Sequence, residues 1–119
     1  MGHTIARFQI RAAGRKRAKE LDLLVDTGST FTWIASRLLA ELGIVPTRER
    51  SFVTIEGRNV KRSIGEAVLE YEGESATTIV VFAKEQDEQV LGVYALEGLG
   101  LEVDPGRKRL KKTRAILAV

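Results

Sequence analysis

Leu23-Leu24-Val25-Asp26-Thr27-Gly28-Ser29-Thr30 is the stretch on which the reading of this chain turns. Three apolar residues drive a strand into the interior, and a carboxylate stands at its end. Thr27, Gly28 and Ser29 follow, all small and turn-forming. The glycine permits close backbone approach or positive φ, and the hydroxyls of Thr27 and Ser29 can orient a carboxylate. An acid at the end of a buried strand costs free energy unless something there uses it. On the Asp-Thr-Gly triplet alone a second reading stands beside this one: an Asx turn in which Asp26 caps its own loop.

Upstream, Ala6, Phe8, Ile10 and Ala12 alternate with Arg7, Gln9 and Arg11, which predicts a strand with one buried face. A turn at 13–16 leads to a second strand over 19–26. Downstream, Ile34, Leu38 and Leu42 recur every four residues and Leu39 widens the stripe. That spacing predicts a helix, with Ser36 as N-cap, Gly43 as terminator and Pro46 beyond its end. From Ser51 onward the pattern is hairpins. Segments 52–55 and 60–63 flank Glu56-Gly57-Arg58-Asn59, segments 67–71 and 76–82 flank Glu72-Gly73-Glu74, and segments 101–104 and 107–111 flank Pro105-Gly106. Residues 84–89 read as a polar, acidic loop. Val90-Leu91-Gly92-Val93 reads as a short strand, 95–99 as one helical turn ended by Gly100, and 113–119 closes on five apolar residues. The sum is a mostly β chain with one or two short helices, closed into a small barrel.

The 119 residues predict one domain spanning 1–119. With 44% hydrophobic and 29% charged residues the chain can bury a core and stay soluble. It has no cysteine, which excludes disulfides and thiolate metal sites, and a single histidine, His3, which excludes an imidazole zinc cluster and a Ser-His-Asp triad. A hydrolase built from this chain has to work with carboxylates, and neither metal nor cofactor is expected. The opening MGHTIARFQIRAAGRKR lacks the apolar stretch of a signal peptide, and no window reaches the length of a membrane span, so a cytoplasmic location is expected. The formal charge is +3. Basic residues cluster at Arg15-Lys16-Arg17 and at Arg107-Lys108-Arg109 with Lys111, Lys112 and Arg114, and both clusters read as solvated turns. No aromatics interleave with them, so a nucleic-acid partner is not expected.

The octet at 23–30 resembles the active-site loop of aspartic peptidases, whose pattern is two hydrophobic residues, Asp, Thr or Ser, Gly, then Ser or Ala. Order and spacing further along are similar to the retropepsins, the single-domain members. Val90-Leu91-Gly92 fits the apolar pair and glycine that follow the catalytic loop in that family, 95–100 fits its short helix, and 101–104 fits its final strand. The hairpin at Glu56 to Asn59 falls where the family carries its flap. The run from Val90 to Leu101 looks most like the prokaryotic members.

The resemblance implies roles residue by residue. Asp26 is expected as the catalytic aspartate, Thr27 as the residue that bonds across a dimer axis, and Gly28 as a contact to substrate backbone. Ser29 is expected to donate to the outer oxygen of Asp26, with Thr30 beside it in the substrate site. Glu56, Gly57, Arg58 and Asn59 are expected as the flap tip, and Val90 as the wall of a side-chain pocket. One chain carries one Asp-Thr-Gly, and the chemistry needs two carboxylates sharing a proton, so a homodimer is implied. The expected reaction is hydrolysis of an extended peptide by activated water. Two departures stand out. Viral members place an Asp in the catalytic loop and an Arg after the later glycine, where this chain has Thr30 and Val93. The chain also continues past the usual viral end. A non-catalytic peptide-binding or dimerisation module on the same fold is the competing reading.

Overall fold

The computed structural model describes residues 3–114 and Ala118. The alternation at the N-terminus forms β1 (Ile5–Arg11), which turns back antiparallel into β2 (Ala18–Val25) with Ile5 opposite Leu24 and Arg11 opposite Ala18. The predicted period holds. Phe8, Ile10 and Leu23 are buried while Arg7 and Gln9 face solvent. Each such side chain contributes roughly 2–3 kcal/mol by leaving water.

After the loop at 26–31 the chain forms β3 (Thr32–Ala35), which runs directly into α1 (Ser36–Glu41). This corrects the helix expectation. Ile34 lies on a strand, fully buried, and Ser36 is the first helical residue instead of the cap. Its Oγ donates to the Ala83 carbonyl (2.9 Å), tying the helix start to a neighbouring strand. The hairpins appear where the turn residues place them. β4 (Arg48–Val53) pairs with the long β5 (Asn59–Tyr71), and β5 pairs with β6 (Glu74–Ala83) across Glu72-Gly73. Then follow β7 (Val90–Leu91), α2 (Val93–Leu99) and a separate two-stranded ribbon of β8 (Leu101–Asp104) and β9 (Arg109–Lys112).

The described residues are mostly β with two short helices. Seven strands lie in the order β1-β2-β7-β3-β6-β5-β4, and β1 also pairs with β5. Two of the pairings are parallel: β2 with β7, and β3 with β6. β7 therefore lies between β2 and β3, the very strands that the 26–31 loop connects. The core between sheet and helices includes Leu39, Leu69, Val80, Leu91 and, from α2, Ala95, Leu96 and Leu99. Among the described residues no helix is long and apolar enough to cross a membrane. Most of the apolar C-terminal tail, 115–117 and 119, lies outside the described residues.

Candidate active site

β2 ends at Val25, and the backbone then turns sharply. The Asp26 N–H donates to the Leu91 carbonyl (2.9 Å), and the Ser29 N–H donates to the Asp26 carbonyl (3.1 Å). The Gly28 N–H donates to Asp26 Oδ1 (2.9 Å). The Asx turn is thus present, and it is also the device that aims the carboxylate. One oxygen is held by the loop, and Oδ2 has no donor among the described residues. Asp26, Thr27, Gly28 and Thr30 are exposed and Ser29 is half-buried. The Ser29 hydroxyl donates to the Phe31 carbonyl (2.8 Å), so in this chain it braces the loop and does not reach Asp26.

The loop is pinned from below by residues 91–94. The Val93 N–H donates to the Ser29 carbonyl (2.8 Å) and the Tyr94 N–H to the Thr30 carbonyl (3.0 Å). Thr32 is fully buried, and its Oγ1 accepts from the Gly92 N–H (3.0 Å). Gly92 sits so close under the loop that a Cβ there would stand 2.4 Å from the Phe31 carbonyl oxygen and 2.8 Å from that of Ser29. Both obstacles are backbone and cannot swing aside. Gly92→Ala is therefore expected to cost about 1–3 kcal/mol of stability and to displace the Asp26 loop. Urea unfolding measures the first, and backbone amide shifts of residues 26–31 by NMR report the second. An unchanged midpoint and unchanged shifts would refute the close packing.

Above the loop stands the β4–β5 hairpin. Its tip is a tight turn in which the Thr54 N–H donates to the Arg58 carbonyl (2.8 Å) and the Gly57 N–H to the Thr54 carbonyl (2.9 Å). Gly57 takes φ +87°, a conformation that favours glycine. Glu56, Gly57, Arg58 and Asn59 come together here, all exposed, alongside Ile55, whose side chain is wholly in solvent. Between hairpin and loop lies a cleft of about 360 Å³ lined by Gly28, Ser29, Thr30, Trp33, Arg50 and Phe52, among others. Ser29 and Thr30 border it. Val90 does not: it is buried beneath the loop, opposite Leu24 and Trp33. Trp33, Arg50 and Phe52 lie outside the motifs that mark the loop and the hairpin tip. The signal was available in Arg48, Arg50 and Phe52, which alternate along one strand and so share a face.

Two further features frame the site. A groove of about 470 Å³ borders Thr27 and is walled largely by Val93, Leu96, Leu101 and Val103. On the hairpin's stem, Arg62 is 7% exposed and makes a forked pair with Asp87, Nε to Oδ2 at 2.7 Å and Nη2 to Oδ1 at 3.0 Å. The Lys84 N–H also donates to Asp87 Oδ2 (2.8 Å). The guanidinium holds the Asp87 carboxyl below the usual carboxylate range, against the opposing effect of burial.

A search of curated proteins finds none that matches the chain. Among solved structures it is similar to the solution structure of the protease of Simian Foamy Virus (mac), with a TM-score of 0.52 and 16% identity over 76% of this chain and 91% of that one. At that identity the likeness speaks to the fold. The profile of the aspartyl protease family matches residues 9–95, a span that holds the Asp26 loop, the β4–β5 hairpin and the Gly92 staple. That match covers well over half of the sequence, and the chain belongs to the aspartyl protease family.

Proposed function

We propose that the chain, one domain over residues 1–119, is an aspartic endopeptidase whose active site is completed by a second copy of itself, with the two Asp26 carboxylates activating one water. The observation that carries this reading is the held yet open carboxylate of Asp26. Its Oδ1 is fixed by the Gly28 N–H, its loop is stapled to residues 91–94, and its face is exposed beside a cleft. A lone carboxylate cannot both take a proton from water and lend one to a peptide carbonyl. Two carboxylates sharing a proton can.

The groove beside Thr27 supports the second copy, since its apolar walls lie on the same face as the Asp26 loop. Thr27 is exposed there and free to bond to its counterpart. The return of the strand pairings from β5 to β1 supports a closed acid-protease barrel. An extended peptide would lie between the β4–β5 hairpin and the loop, pairing as an added strand. Gly28 would meet its backbone, Ser29 and Thr30 would flank it, and residues 56–59 would close over it as a flap.

The assembly is tested by sedimentation. The purified protein is expected to move as a species of twice the 13.2 kDa chain mass at tens of micromolar. A monomer at that concentration would leave the site with one carboxylate and overturn the reading.

A further inference from the structure

The cleft between loop and hairpin is aromatic on one side and cationic on the other. Phe52 meets Trp33 and Phe31 edge-on, with ring centroids 5.1 and 6.3 Å apart. Of the described residues that line the cleft, Arg50 alone is charged. It precedes Phe52 by two positions on β4, so both side chains leave the same face of the strand. Directly across the hairpin, Arg50 pairs in register with Arg62. Two guanidinium groups therefore occupy facing positions, and one of them, Arg62, is matched by a carboxylate. Asp87 takes the fork of Arg62 with both its oxygens. Arg50 makes no ion pair among the described residues. The cleft is left with an unmatched positive charge beside an aromatic floor.

We propose that Arg50 is a specificity determinant that reads an acidic side chain on the bound peptide, glutamate above all. This rests on the reading of the cleft as a peptide site. A carboxylate accepts two parallel N–H bonds from a guanidinium, a match that an amide or a lysine does not provide. The methylenes of glutamate lie over Trp33 and Phe52 while its head reaches Arg50, where aspartate is shorter. In an extended peptide every second side chain faces the same wall. A two-fold dimer offers a second Arg50 on the far side of the scissile bond, so an acidic residue is read at one position on each side.

The experiment uses peptide sets identical except at those positions, carrying Glu, Gln, Leu or Lys. Wild type is expected to cleave Glu peptides with kcat/KM about tenfold above Gln peptides, and Lys peptides worst. Arg50→Gln should level Glu and Gln, Arg50→Lys should keep part of the preference, and Arg50→Glu should move it to Lys. The same peptides are titrated by fluorescence polarisation against Asp26→Asn protein, with and without Arg50→Gln, which separates recognition from chemistry. Selective binding of Glu peptides through Arg50 without cleavage would retain the subsite and overturn the peptidase reading. Cleavage with equal rates for Glu and Gln, or a preference that survives Arg50→Gln, would overturn the subsite alone. Neither binding nor cleavage of any peptide would overturn both.

Discussion

Asp26→Asn is expected to lower peptide cleavage by roughly 10²–10⁴-fold, the range that a positioned acid–base group contributes. Asparagine keeps the shape of the side chain, and its Oδ1 still accepts from the Gly28 N–H, so the loop that holds it should survive. What is lost is the capacity to carry a proton to or from water. The variant should therefore dimerise as wild type does, and it should poison wild-type chains. In an equal mixture only about a quarter of the dimers carry two Asp26 side chains, so activity per wild-type chain falls by about half when subunits exchange. The measurement is a cleavage assay on mixtures of fixed wild-type concentration, with sedimentation of the variant alone. A variant that still cleaves removes Asp26 from the mechanism. A variant that loses the dimer makes Asp26 a structural cap, and activity unaffected by mixing refutes a shared site.

The second large effect concerns a residue outside the cleft. Asp87→Ala is expected to cost about 3 kcal/mol, the lower end of the range for breaking a buried pair, since Asp87 keeps 14% of its side-chain surface in water. The cost arises because Arg62, 7% exposed, is left as an uncompensated charge. For a chain of this length the thermal midpoint should drop by about 10 °C. Removing the charge as well, in Arg62→Met with Asp87→Ala, should recover part of the loss. The pair also sets an acid limit. The Asp87 carboxyl titrates lower in the folded protein than in the unfolded chain. Its contribution is complete above the unfolded value and disappears as pH falls through the folded one. Urea midpoints against pH for wild type and Asp87→Ala should converge toward strong acid. Curves that stay parallel down to low pH, or a loss under 1 kcal/mol, would refute the assignment.

Much of this was legible beforehand, and the parts that were not share a cause. Local chemistry marked the three hairpins, because Glu56-Gly57, Glu72-Gly73 and Pro105-Gly106 interrupt alternating strands. It marked the Asp26 loop and the Gly92 segment by residue type. β3 was missed because it is four residues long and Ile34 also fits a helical spacing with Leu38 and Leu42. Period tells which face a side chain takes, but not which strand lies next to it. The insertion of β7 between β2 and β3 is a long-range fact with no local trace. The same holds for Arg62 and Asp87. One sits beside Lys61 on a hairpin strand, the other in an acidic loop, and only the fold shows them to be a pair. The carboxylate of Asp26 declared itself by motif, whereas Arg50 needed its neighbours.

The staple under the Asp26 loop has a bearing on how the protein is made. Residues 26–30 are held by partners at 91–94, through the Asp26, Val93 and Tyr94 amides and the parallel pairing of Val25 with Leu91. Contacts so distant in sequence form late, because the intervening chain must first be brought into place. A ribosome that has delivered the Asp-Thr-Gly triplet has yet to deliver the 91–94 segment that staples it. The growing chain thus carries its Asp-Thr-Gly motif in an unstapled loop through most of translation, and that loop takes its final shape only once residues 91–94 are in place.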